Sequence, residues 1–245
     1  MKLAVFSDVH ANLPALEAVL ADIDARQVDA VYCLGDLVGY GPFPNEVVEH
    51  IRAAGIPTIA GNYDDGVGFE REECGCAYRA PLDRELGQQS FEWTKAHVTA
   101  DMKEYLRSLH FDVRLDADGK RLLLVHGSPR RINEYLFEDR PLPSFARLAA
   151  AANADVILFG HTHKPYTKLV DHVWFVNVGS VGKPKDGDWR ACYAIVDPAA
   201  APPAVFIRVP YEIERTADAI RHSDLPHEFA ADIEHGGATR QERTD

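Results

Sequence analysis

The sequence predicts an α/β fold: a four-layer αββα sandwich in which two mixed β-sheets are flanked by helices. Three observations lead there. Short apolar runs alternate with helical periodicity over residues 1–60, which predicts parallel strands with helical crossovers. The second half is mostly strand-like runs separated by turn residues, which predicts antiparallel hairpins. No linker-like stretch divides the chain, so both sheets belong to one unit.

The elements follow in order. Leu3–Phe6 is an apolar run of the kind a buried strand needs. Asn12–Ala25 places Leu13, Leu16, Val19, Leu20 and Ile23 at helical spacing, with Asn12 as cap and Pro14 in the first turn. Val31–Leu34 reads as a strand, Pro44–Ala53 as a helix and Thr58–Ala60 as a third short strand. Residues 65–80 break the pattern with Gly66, Gly68, Gly75, two cysteines and several charges, and read as an irregular insertion. Pro81–His97 and Asp101–Leu109 are helical. Phe111–Leu115 and Leu122–Val125 are strands about the turn Asp116-Ala117-Asp118-Gly119. Ser144–Ala152 is a helix, and the strands Val156–Phe159, Tyr166–Leu169, Val173–Asn177, Ala191–Val196 and Ala204–Val209 complete the sheets. One domain is expected over 1–225. Residues 226–245 are polar, contain Gly236-Gly237, and are expected to form a mobile tail.

With 245 residues, 46% of them hydrophobic and 26% charged, the chain is neither disordered, nor collagen-like, nor a disulfide-dense mini-protein. Its net charge of −12 leaves no dedicated nucleic-acid surface. No apolar run approaches the roughly 18 residues of a membrane span, and the start lacks the apolar stretch and cleavage site of a signal peptide. Cys33, Cys74, Cys76 and Cys192 suggest no disulfide framework, and a cytoplasmic location is expected. Cys74-Gly75-Cys76 supplies half of a metal site at most, so these are read as loop cysteines. Helix Ser144–Ala152 and the last apolar strands leave room for a homo-oligomer.

Polar residues gather where each strand-like run stops. Asp8 and His10 follow the first run, Asp36 the second, Asn62 and Asp64 the third, His126 the Leu122–Val125 run, and His161 and His163 the Val156–Phe159 run. In open α/β sheets, ligands bind beyond the carboxyl ends of strands. Gly35, Gly39, Gly41, Gly61, Gly127 and Gly160 flank these positions, as close backbone approach requires. Each motif alone is ordinary turn or cap chemistry. Five of them in order point to one site.

The blocks Asp8-Val9-His10, Gly35-Asp36-Leu37-Val38-Gly39, Gly61-Asn62-Tyr63-Asp64, Val125-His126-Gly127 and Gly160-His161-Thr162-His163 resemble the calcineurin-like metallophosphoesterases. The string from Gly35 to Val47 and the segment Asn177-Val178-Gly179-Ser180 are similar to the compact prokaryotic branch. The resemblance implies the fold over about residues 1–200, a site for two divalent metal ions, and hydrolysis of phosphoesters by a metal-bridging hydroxide attacking phosphorus in line. It implies that Asp8, His10 and His163 hold one ion, that Asn62, His126 and His161 hold the other, and that Asp36 bridges them. Two divalent ions outweigh two carboxylates, so such a cluster attracts a phosphate anion even in an acidic protein. An all-nitrogen-and-oxygen donor set suits manganese, iron or zinc.

Many family members read Gly-Asn-His-Asp where this chain has Tyr63, so the resemblance implies a weaker general acid. A phenol near neutral pH donates a hydrogen bond but rarely its proton. Catalytic roles are therefore expected for Asp36, Asn62, Tyr63 and Asp64, with Asp64 orienting a ligand imidazole or fixing its loop, and with good leaving groups favoured. Arg130 and Arg131 are candidate substrate-binding residues, because arginine forks match phosphate oxygens. The expected substrate is a small-molecule or nucleotide phosphodiester. The alternatives are a phosphomonoesterase acting on phosphoprotein or dinucleoside polyphosphates, and a non-enzymatic protein-binding scaffold of the same fold. All seven ligand positions carry competent side chains, which favours the enzyme. An NTP-binding reading fails, because Lys183 has Asn177 and Pro184 where a phosphate-binding loop needs Gly and Ser or Thr.

Overall fold

The computed structural model describes residues 1–78 and 80–237. Among these, nine strands form two mixed sheets. The first sheet contains β1 (Leu3–Phe6), β2 (Ala30–Cys33), β8 (Ala191–Val196) and β9 (Ala204–Val209), in the order β2-β1-β8-β9. The second contains β3 (Asp112–Ala117), β4 (Lys120–Val125), β5 (Val156–Phe159), β6 (Tyr166–Val170) and β7 (Val173–Asn177), in the order β3-β4-β5-β7-β6. The pairs β1–β2, β4–β5 and β5–β7 are parallel, and the hairpins β3–β4, β6–β7 and β8–β9 are antiparallel.

Strand periodicity explains why there are four layers. Side chains alternate faces along a strand. In β1, Leu3 and Val5 enter the apolar layer between the sheets, whereas Ala4 and Phe6 enter the layer under the helices. In β4, Leu122 and Leu124 face the first sheet, whereas Leu123 and Val125 face the helix α6 (Leu142–Ala152). Both strands are apolar on two faces because both faces are covered. Outside the first sheet lie α1 (Leu13–Asp24) and α2 (Pro44–Ala53). Asn12 caps α1 by accepting from the Ala15 N–H at 3.3 Å, with proline in the first turn.

Three expectations need correction. Thr58–Ala60 makes only single bridges, Cys33 to Thr58 and Ile59 to His110, because Pro57 and Gly61 bound it too closely for a ladder. The expected insertion 65–80 begins with helix, since α3 spans Asn62–Gly68; residues 69–78 are irregular, and Arg79 lies outside the described residues. The expected mobile tail 226–245 opens with a packed helix, α8 (Glu228–Glu234), beside α7 (Ile213–Arg221). Phe229, Ala230 and Ile233 are buried in the core, an i, i+1, i+4 face that the surrounding polar residues obscured. Residues 238–245 lie outside the described residues. The remaining helices, α4 (Pro81–His97) and α5 (Ala100–Ser108), match expectation to within a residue. Among the described residues no helix is long and apolar enough to cross a membrane.

Candidate metal centre

The loops after β1, β2, β4 and β5 and the start of α3 meet at one edge and are tied to one another through the backbone. The N–H of Asp8 donates to Gly35 O and that of His10 to Asp36 O, both at 2.9 Å. The Gly160 N–H donates to His126 O at 2.9 Å, and the Gly182 N–H to Asp8 O at 3.0 Å. A Cβ on Gly61 would lie 2.1 Å from the Asp36 nitrogen, so only glycine lets the β2 and α3 loops pass this closely. Asp8, His10, Asp36, His161 and His163 all sit in the left-handed region, with φ between 48° and 65°. Such a conformation costs a residue other than glycine about 1–2 kcal/mol. Its recurrence at five positions shows backbone strain concentrated where the polar side chains converge.

The structure brings the seven expected ligands together, all of them buried. They form two triads, Asp8 with His10 and His163, and Asp36 with His126 and His161. Asn62 joins the second, its Oδ1 lying 3.1 Å from His126 Nε2. Each carboxylate is held by one oxygen and presents the other. Asp8 Oδ2 accepts from the His161 N–H at 3.0 Å, leaving Oδ1 toward its triad. Asp36 Oδ1 accepts from the Tyr63 N–H at 2.8 Å, while Oδ2 lies 3.4 Å from His126 Nε2 and 3.8 Å from His10 Nε2. Asp36 therefore faces both triads.

The imidazoles are oriented in the same way. Nδ1 of His10, His126 and His163 donates to the carbonyls of Val38, Leu34 and Lys183 respectively. A carbonyl can only accept, so Nδ1 of each ring carries a proton and Nε2 points into the site, with a lone pair on the neutral His10 and His163 rings. His10 Nε2 and His163 Nε2 then face each other at 3.1 Å with no proton between them. Asp8 Oδ1 and His161 Nε2 are buried without a hydrogen-bond partner. Buried lone pairs left this way destabilise a fold unless a cation takes them up. The residues present thus fit a pair of metal ions.

Electrostatics agree. Burial lowers His10 and His161 to about 3, which keeps both rings neutral and able to ligate. At His126 burial acts in the same direction, but the Asp36 carboxylate outweighs it and raises the ring to about 10. The two acidic groups demand positive charge between them. Burial also pushes Asp8 and Asp36 up, but the surrounding histidines prevail and hold both carboxyls below their usual range.

Asp64 and Tyr63, for which catalytic roles were expected, are both buried. Asp64 accepts from the N–H groups of Gly61 and Leu37, both at 2.9 Å, and so fixes the β2 loop against α3. Burial, and then the charge of Asp36, raise it to about 7. Tyr63 is fully buried, its phenol directed at Gly87 O at 3.4 Å and its ring packed against Tyr40 and Phe91. Its backbone N–H, not its phenol, makes the hydrogen bond to Asp36. An aromatic ring at this position joins the α3–α4 core, which is why the phenol faces away.

Arg130 is held away by an acidic partner, and the Arg131 backbone joins the same turn. Both N–H groups donate to Ser128 Oγ at 3.1 Å, and Glu134 captures the Arg130 guanidinium. Neither lines the cavity of about 990 Å³ beside the centre, whose basic residues are Lys164 and Lys185. Its wall includes Tyr40, 4.9 Å from the His10 ring, and Tyr135, 4.0 Å from the His161 ring. Tyr135 carries no sequence signal; Tyr40 stands next to Gly39 within a quoted motif and could have been found.

The comparisons accord with this geometry. The calcineurin-like phosphoesterase superfamily domain matches residues 1–200. An uncharacterized protein of Methanocaldococcus jannaschii is 34% identical over 242 residues, covering 91% of this chain and 93% of that protein. The phosphodiesterase YfcE of Escherichia coli is 28% identical over 205 residues, covering 80% and 88%. The crystal structure of a metallophosphoesterase from Sphaerobacter thermophilus aligns with a TM-score of 0.77 at 33% identity, covering 96% of this chain and 99% of that one. With its motifs in order and most of its length matched, the chain belongs to the calcineurin-like phosphoesterase superfamily and is a metallophosphoesterase.

Proposed function

We propose that the protein hydrolyses small-molecule phosphodiesters at two metal ions held by Asp8, His10 and His163 on one side and by Asn62, His126 and His161 on the other, with Asp36 between them. The observation that carries this reading is the pair of buried triads facing a shared carboxylate. Two divalent ions acidify water and neutralise charge developing on a phosphoryl group. The chain's own residues do the rest. His10, His161 and His163 stay neutral through burial and offer lone pairs. Tyr40 and Tyr135 cover the flanks of His10 and His161 and keep water from them. Lys164 and Lys185 stand among the residues of the cavity wall, beside the carboxylates of Asp83, Glu138, Asp139 and Asp232.

A cavity of about 990 Å³ suits a substrate of nucleotide size rather than a bare phosphate. The likeness to a relative named a phosphodiesterase supports the diester. Manganese, iron and zinc all suit the nitrogen and oxygen donors. All four cysteines are free thiols, which suits a reducing compartment such as the cytoplasm.

The test is metal analysis of protein purified without chelator, then a panel of diesters and matched monoesters with manganese added. Two ions per chain, faster diester hydrolysis and full inhibition by chelator are expected. Asp36→Asn should lower kcat/KM by roughly 10³-fold, the upper range for removing a group that acts at the reacting centre. Undiminished turnover in that variant would defeat the mechanism.

A further inference from the structure

The irregular segment after α3 places two thiols against the metal centre. Cys74 Sγ and Cys76 Sγ lie 3.0 Å apart as free thiols. Asn62 Nδ2 donates to Cys76 Sγ at 3.2 Å and to Cys74 O at 3.0 Å, while Asn62 Oδ1 faces His126. The amide is therefore aimed by the cysteine loop. Between the thiols, Gly75 has a φ of +72°, and its carbonyl accepts from Asn133 Nδ2 at 2.9 Å. A Cβ there would come within 2.7 Å of that nitrogen, so the turn that juxtaposes the sulfurs needs glycine. Cys74 is buried and Cys76 partly exposed, so an oxidant meets Cys76 first.

We infer that Cys74 and Cys76 form a reversible dithiol–disulfide pair that sets the grip on Asn62, oxidised by a small-molecule disulfide of the glutathione type. The consequence for metal binding rests on the reading of Asn62 as a ligand. The Cys76 thiol gives its proton to water as its sulfur attacks one sulfur of the glutathione disulfide; that bond breaks, a mixed disulfide forms, and one glutathione thiolate leaves and takes up a proton. The Cys74 thiol gives its proton to water and its sulfur attacks the Cys76 sulfur. The Cys74–Cys76 bond forms, and the second glutathione thiolate leaves and takes up a proton. Two protein thiols lose two electrons, and one disulfide becomes two thiols. Drawing the sulfurs from 3.0 Å to the bond length of about 2 Å shifts the acceptor that Asn62 Nδ2 uses and tightens the loop carrying the Cys74 carbonyl. A disulfide across a single intervening residue is strained, which makes it readily reversed.

The experiment titrates manganese-free protein with glutathione buffers, then measures manganese affinity by chelator competition. Two thiols should disappear with loss of only two hydrogens in mass, mapped to Cys74 and Cys76, while buried Cys33 and Cys192 remain reduced. Affinity for one of two manganese ions should fall about tenfold, as when a group orienting a ligand is lost, and return with dithiothreitol. Cys74→Ser should bind manganese like reduced wild type and form no internal bond. Cys76→Ser, which keeps an acceptor for Asn62, should match it. An internal bond that never forms, or one that forms while manganese affinity stays within about twofold, overturns the inference. Protein that switches in this way but hydrolyses no phosphoester sinks the functional reading alone. Protein that binds no manganese when reduced sinks both.

Discussion

The two triads are alike in chemistry and unlike in support. Around His163 the support is a buried ion pair. The Lys183 carbonyl that orients His163 belongs to a residue whose Nζ lies 2.6 Å from Asp232 Oδ2, between the rings of Tyr40 and Phe229 at 5.2 Å each. Asp232 and Phe229 stand on α8, beyond the residues matched by the family domain. Around Asn62 the support is an irregular loop with two thiols. The first triad is thus braced by the folded core, whereas Asn62, which joins the second, is braced by a segment carrying two thiols. Equivalent ligand sets need not be equally rigid, and the rigid half owes that property to a helix outside the motifs.

The comparison breaks most readily at the ion pair. Asp232→Ala removes the carboxylate from a buried ammonium, and should cost about 3 kcal/mol of stability in urea unfolding while weakening the Asp8–His10–His163 ion. A loss below about 1 kcal/mol would mean that α8 is no brace. The next effect belongs to the other half. Asn62→Ala should weaken one ion at least tenfold, and spare the other, in chelator competition. Equal weakening of both would show that the triads bind as one unit. The smallest effect concerns Tyr63. Because its phenol donates to Gly87 O at a long 3.4 Å, Tyr63→Phe should alter stability by about 1 kcal/mol or less and leave the dependence of rate on leaving-group pKa unchanged. A steeper dependence in the variant would return the phenol to the chemistry.

The candidate ligands were legible because metal chemistry restricts their type and strand ends restrict their place. Asp8, His10, Asp36, His126, His161 and His163 each follow an apolar run that the structure forms as a strand. Asn62 was legible by motif although its preceding strand is only an isolated bridge. The lining of the cavity was not legible. Arg130 looked suited to phosphate until Glu134, four residues on, took its guanidinium, whereas Lys164 and Lys185 reach the cavity from unremarkable loops. Helix α8 escaped notice because its three buried apolar residues are spread among acids and histidines.

The sequence by itself determined the layered α/β class, most of the strands and the identity of the seven converging side chains. Periodicity of burial and the few side chains able to hold a metal are local properties, written residue by residue. Tertiary structure alone decided which way Tyr63, Arg130 and Asp64 point, that Cys76 touches Asn62, and that α8 clamps Lys183. Those outcomes depend on neighbours up to 49 residues away in the chain, as with Lys183 and Asp232, and such neighbours exist only once the layers have packed.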